Sequence, residues 1–202
     1  PGEDDDEFAF LPHAIEFKPD GTRMFVVRNT GTLVYQYDLS TAWDVSTISF
    51  STKYDVSDEA QLRSLTFKPD GSRMYVTGNE NEKIKEYSLS TPWDITTSNV
   101  THVRDSVALT STDNNPRNIQ FSKEGTEFYY AGNGSNNMHK FTLSTAWDVS
   151  TLSSSATTFD LGDRVGNMRG FIFTSSYSRL YVTNDGGKAS FNKVYEYALS
   201  CA

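Results

Sequence analysis

An all-β fold of four similar units is predicted by three features of this sequence. One phrase occurs four times, a second occurs three times, and turn-forming residues hold the same place in the copies. Phe17-Lys18-Pro19-Asp20-Gly21-Thr22-Arg23-Met24-Phe25-Val26 returns from Phe67 to Val76, and in altered form from Phe121 to Tyr130 and from Phe173 to Val182. The leading phenylalanines are 50, 54 and 52 residues apart. The second phrase, Leu39-Ser40-Thr41-Ala42-Trp43-Asp44-Val45-Ser46-Thr47, recurs from Leu89 to Thr97 and from Leu143 to Thr151. Self-similarity at about 40–50 residues per copy, with strand-like content, is the signature of a β-propeller.

Each element of the first copy follows from local chemistry. Ala14-Ile15-Glu16-Phe17 alternates apolar and polar residues, as a strand with one buried face does. Pro19-Asp20-Gly21 makes a tight turn, with proline setting φ and glycine supplying a conformation other residues resist. Arg23 to Val27 forms the second strand, Asn29-Thr30-Gly31 a turn, and Leu33 to Leu39 the third strand. The Ser-Thr-Ala-Trp-Asp-Val-Ser-Thr phrase is a longer connection whose short polar side chains bond nearby amides, with Trp43 plugging the loop onto the blade edge. A fourth strand around Ile48 to Val56 completes a four-stranded blade.

The repeats occupy approximately residues 11–57, 61–110, 115–162 and 167–200 of a single domain. Repeat three has Ser122-Lys123-Glu124-Gly125 at the Pro-Asp-Gly turn, and repeat four has Thr174-Ser175-Ser176-Tyr177-Ser178. Looser or differently shaped turns are expected there. Repeat four stops at its third strand, and residues 7–10 (Glu7-Phe8-Ala9-Phe10) supply the missing one. The expected architecture is a four-bladed propeller in which this N-terminal strand completes the last blade and closes the ring, removing exposed sheet edges. Two chains sharing an eight-bladed ring, or part of a larger propeller, are the competing arrangements.

Composition narrows the functional classes. The 202 residues suffice to bury roughly 70% of the unfolded surface. The net charge is −8, and Glu3-Asp4-Asp5-Asp6-Glu7 opens the chain, which argues against nucleic acid and anionic membranes. No apolar run approaches the ~20 residues of a membrane span. The start at Pro1 rather than Met suggests a processed or cut chain. The single cysteine, Cys201, excludes an internal disulfide framework and leaves a terminal thiol that is incidental or pairs with another chain.

One column of the aligned repeats is not required by packing. Four residues before each leading phenylalanine stand His13, Arg63, Arg117 and Arg169, at the start of the strand that lines a propeller's central channel. Gathered at the channel mouth, they would hold a small anion or an acidic side chain of a partner. The alternative is pairing with acidic loops, through Asp58 and Glu59 or Asp160 and Asp163. Trp43, Trp93 and Trp147 form a second column, either stacking on sugar rings or plugging their own loops. No Gly-rich phosphate loop or catalytic triad stands out. The histidines His13, His102 and His139 lack metal-ligand spacing, and neither a metal site nor a cofactor is expected. Asn99-Val100-Thr101 and Asn133-Gly134-Ser135 fit the glycosylation sequon.

The two phrases resemble bacterial and phage β-propeller repeats of the form PDGT-x-MYV followed by LST-x-WD-x-ST. Met74-Tyr75-Val76-Thr77 and Tyr181-Val182-Thr183-Asn184 are similar to the YVTN repeats of microbial surface-layer propellers. The resemblance implies architecture more than activity, because such repeats occur in virion proteins, adhesins, surface-layer proteins and enzymes. The expectation is a non-enzymatic structural or interaction module, extracellular, on a cell surface or on a virion. It would present loops and blade edges to a protein partner or to copies of itself. Two other classes stay open. One is a lectin-like propeller using the three tryptophans. The other is a metal-dependent, lactonase-like hydrolase, which would need Asp, Glu or Asn ligands converging where the column here is basic.

Overall fold

The computed structural model describes residues 12–28, 31–57, 59, 61–109, 115–132, 137–161, 168–174, 176–184 and 193–199. The chain is an all-β, four-bladed β-propeller of antiparallel blades. The strand assigned to residues 7–10, and the closure it provides, lie outside the described residues. The chain divides into two compact units, Pro1–Ala108 with Asp148–Thr151, and Leu109–Trp147 with Leu152–Ala202.

In the first unit, blade 1 has strands β1 (Pro12–Phe17), β2 (Arg23–Arg28), β3 (Leu33–Leu39) and β4 (Ile48–Asp55), hydrogen-bonded in that order. Blade 2 repeats the order with β5 (Leu62–Phe67), β6 (Arg73–Gly78), β7 (Ile84–Leu89) and β8 (Val100–Asp105). Period-2 alternation in β2 sends Phe25 and Val27 to one face and Met24 and Val26 to the other. Phe25, Val27 and Val34 of blade 1 pack on Leu65, Phe67, Met74, Val76 and Tyr87 of blade 2. The rings of Phe25 and Phe67 lie 4.5 Å apart. Each such buried side chain contributes about 1.5–3 kcal/mol.

In the second unit, blade 3 comprises β9 (Pro116–Phe121), β10 (Glu127–Gly132), β11 (Asn137–Thr142) and β12 (Thr157–Asp160). Blade 4 shows β13 (Met168–Phe173), β14 (Arg179–Asn184) and β15 (Val194–Ala198). Tyr129, Ala131 and Met138 pack on Phe171, Phe173, Leu180 and Val182.

The turns after the leading phenylalanines are alike in all four blades, contrary to the looser shapes expected of repeats three and four. Gly21, Gly71, Gly125 and Tyr177 each donate from N–H to the carbonyl three residues back, at 2.8, 2.8, 2.9 and 2.8 Å. All four have positive φ, between 53° and 74°. In the first three blades the Trp-Asp loop folds back over this turn, the N–H of Trp43, Trp93 and Trp147 donating to the carbonyls of Gly21, Gly71 and Gly125. The indoles lie where a glycine Cβ would stand and pack on Phe17, Phe67 and Phe121, with ring centroids 5.4, 4.9 and 5.1 Å apart. In blade 4 no glycine stands at this turn. Tyr177 takes the position, stacks on Phe173 at 5.3 Å and donates its hydroxyl to the Phe121 carbonyl at 2.8 Å. The tyrosine accepts the backbone strain and lays its own ring on the leading phenylalanine.

Candidate functional site

The basic column falls on a backbone irregularity that recurs in every blade. Along β1 the ladder passes from Pro12↔Arg28 to Ala14↔Val27, skipping His13. The same skip omits Arg63 between Leu62 and Ser64, Arg117 between Pro116 and Asn118, and Arg169 between Met168 and Gly170. Each of the four basic residues is the extra residue of a β-bulge. Bulges re-aim a side chain away from the pleat and are common beside active sites. Sequence alignment found the column, but a register skip leaves no mark in one sequence.

In the first unit the column is organised by hydrogen bonds. Arg63 is buried, at 7% exposure, and His13 is half-buried. His13 Nδ1 lies 2.9 Å from the Arg63 carbonyl, and Arg63 Nη1 lies 3.0 Å from His13 Nε2. A carbonyl only accepts and a guanidinium only donates, so the pair of contacts assigns His13 as the neutral, Nδ1-protonated imidazole. Arg63 Nη2 donates to Gln61 Oε1 at 3.0 Å, which also accepts from Asn79 Nδ2 at 3.3 Å. Of the acidic residues considered as pairing partners, Glu59 is buried and accepts the Glu80 and Asn81 amides at 2.7 and 3.2 Å. Its carboxyl is pushed up by burial. Asp58 and Asp163 lie outside the described residues. In the second unit Arg117 is half-buried and Arg169 exposed.

A carboxylate missed by the sequence lies on the same inner strand. Glu16 pairs across the ladder with Phe25 and so shares the face that carries Phe25 and Val27 into the core. It is half-buried, and among the described residues it has no hydrogen bond or ion pair. Desolvation, with nothing to offset it, pushes its carboxyl up to about 7. The equivalent positions hold Thr66, Gln120 and Ile172, so the ionisable group is particular to blade 1. A lone half-buried carboxylate poised near neutrality is suited to general-base work. Three residues along a strand place it about 10 Å from His13.

A second buried carboxylate has a structural task. Glu86 lies 3.2 Å from Arg73 Nη1 and 3.7 Å from Arg104 Nε, and accepts the Val149 amide at 3.3 Å. Burial raises its pKa. The tryptophans differ in access: Trp93 is 7% exposed, Trp147 half-buried and Trp43 58% exposed. All three rings are engaged by a glycine and a phenylalanine of their own blade. Among the described residues no group of three His, Cys, Asp or Glu side chains is placed to hold a metal ion.

No curated protein matches the chain. Among solved structures, a Lactobacillus plantarum protein is similar over 94% of this chain and 51% of its own, at 21% identity and a TM-score of 0.60. Hydrazine synthase of Kuenenia stuttgartiensis covers 93% of this chain and 46% of its own, at 16% identity and 0.61. A candidate 6-phosphogluconolactonase of Bacteroides uniformis covers 94% and 53%, at 13% identity and 0.61. At these identities the likeness shows the fold alone, and the chain spans about half the length of the structures it matches. The family described as lactonase, 7-bladed beta-propeller, matches residues 3–186.

That match overturns the expectation of a non-enzymatic structural module, and with it the virion, adhesin and lectin-like settings. The error has a physical origin. Turn and core residues dominate the repeats, whereas an active site needs only a few side chains and no repeated phrase. The chain belongs to the lactonase family of β-propellers.

Proposed function

We propose that this chain is a hydrolase that opens the ring ester of an anionic sugar-acid lactone. The observation that carries this reading is the family match over residues 3–186. A phosphorylated lactone is favoured by the two candidate 6-phosphogluconolactonases among the similar structures and, within the first unit, by the bulged Arg63 guanidinium held beside the neutral His13. Arg63 anchors the anionic arm, since charge-assisted bonds from guanidinium to phosphate are both strong and directional. Arg63 and His13 hold each other in place on the first unit's inner strands. Glu16 takes a proton from water as the water oxygen adds to the lactone carbonyl carbon. The tetrahedral adduct then collapses, the ring C–O bond breaks, and the departing ring oxygen takes the proton from Glu16. The products are a hydroxyl and a carboxylic acid that ionises.

The test compares δ-gluconolactone with its 6-phospho derivative by continuous titration of the acid released. The phosphorylated lactone should be opened faster, and Arg63→Lys should raise KM about tenfold with kcat little changed, because lysine keeps the charge but loses the two-donor fork. Failure to accelerate either lactone above its spontaneous rate would reject the reading.

A further inference from the structure

A second column of the aligned repeats changes together with the basic one. Two residues before Arg63, Arg117 and Arg169 stand Gln61, Asn115 and Asn167, each a carboxamide. Two residues before His13 stands Leu11. The amide accompanies arginine, and an aliphatic residue accompanies histidine. Backbone geometry marks the same place. Among the described residues of this column, Gln61 and Asn115 have φ of 55° and 62°. Asparagine tolerates the left-handed region, but glutamine is strained there and must be held by its surroundings.

In the first unit those surroundings are hydrogen bonds. Gln61 Oε1 accepts from Arg63 Nη2 at 3.0 Å and from Asn79 Nδ2 at 3.3 Å, and two donors at one oxygen fix which way the carboxamide faces. Asn79 stands at the start of the turn from β6 to β7, and Glu59 clamps that turn from beneath. Glu59 is 1% exposed, sits where a Cβ on Gly78 would stand, and accepts the Glu80 and Asn81 amides at 2.7 and 3.2 Å. On the other side of the guanidinium, Arg63 Nη1 lies 3.0 Å from His13 Nε2. A planar group gripped at both Nη corners does not rotate freely about its Cζ–Nε bond.

We propose that Gln61 is a positioning residue, whose strained backbone aims the carboxamide that sets the plane of the Arg63 guanidinium for a two-donor grip on the anionic group of the substrate. Guanidinium binds phosphate through a fork of parallel N–H bonds, so the direction of its plane decides whether both bonds form. An imidazole has no such fork to orient, which accounts for the plain Leu11 before His13. The inference rests on the lactone reading for the identity of the substrate, whereas the grip on phosphate is measurable without turnover.

The test is the ¹⁵N spectrum of the Arg63 guanidinium, assigned by its loss in Arg63→Lys. In the native chain Nη1 and Nη2 should give separate signals, because rotation is blocked. In Gln61→Gly, which accepts positive φ and lacks the carboxamide, the two should merge at the same temperature. Gln61→Asn, which restores an amide of the type found in blades 3 and 4, should keep them separate. Inorganic phosphate titrated into the same samples should bind Gln61→Gly about tenfold more weakly than the native chain, and KM for the 6-phospho lactone should rise by a similar factor with kcat little changed. A chain that opens neither lactone would reject the lactone reading alone, since the spectra and the phosphate titration need no turnover. Separate signals in Gln61→Gly, or equal phosphate affinity in the two chains, would overturn the proposal.

Discussion

Replacing Gly71 with alanine should cost about 2–4 kcal/mol of stability, more than the same change at Gly21 or Gly31. Two effects add at Gly71. Its φ is 73°, a conformation costing a residue with a side chain on the order of 1 kcal/mol. The new Cβ would also overlap Cδ1 and Nε1 of the Trp93 indole. Trp93 has nowhere to go: it is 7% exposed and packed on both Phe67 and Phe25, so overpacking adds about 1–3 kcal/mol. At Gly21 the overlapping ring is Trp43, 58% exposed and able to swing into solvent. At Gly31, with φ of 99°, nothing lies within 4 Å, and only the backbone cost remains. Urea denaturation of the three variants should rank Gly71 well above the other two. Adding Gly71→Ala to a Trp93→Ala background should cost clearly less than Gly71→Ala alone, because the clash is then gone. Equal losses at Gly71 and Gly21 would mean that backbone strain, not the indole, demands glycine here.

This glycine also shows what the sequence can and cannot express. The Pro-Asp-Gly turn was legible because its residue types are demanded locally, by φ alone. Tyr177 was misread for the same reason. Local rules disfavour tyrosine at positive φ, but tertiary context rewards a ring stacked on Phe173 and bonded to the Phe121 carbonyl. The column His13, Arg63, Arg117 and Arg169 was visible by alignment of the copies, whereas the bulge that lifts each residue out of its ladder is a property of strand pairing. Glu16 was read as the polar half of an alternating strand. Whether a carboxyl on such a strand meets water or a neighbouring blade is decided about 50 residues away, by how blade 2 packs on blade 1. The family was hidden more thoroughly, because its match runs over residues 3–186 and the repeated phrases mark turns and core.

On the proposed lactone reading, Glu16→Gln should give a chain that is more stable and far less active, with the gain in stability confined to higher pH. The folded-state carboxyl titrates at about 7, raised by burial from 4.5. Below pH 4.5 the group is protonated in both folded and unfolded chains, and its full contribution to stability is present. As pH rises through 7 the folded protein must ionise a desolvated carboxyl, and that contribution is lost. The difference corresponds to roughly 2–3 kcal/mol once partial exposure is allowed for. Glutamine keeps nearly the same shape and cannot ionise, so the variant should match the native chain near pH 4 and exceed it by that amount at pH 8. A general base contributes about 10²–10⁴-fold to rate, so the proposed lactone opening should rise with pH to a plateau above pH 7. In the variant both the rise and most of the rate should disappear. Chemical denaturation at the two pH values, beside the pH profile of kcat/KM, separates the roles. A carboxyl that only packs would give the stability change without the loss of rate. One that only touches solvent would give neither, and would remove Glu16 from the site.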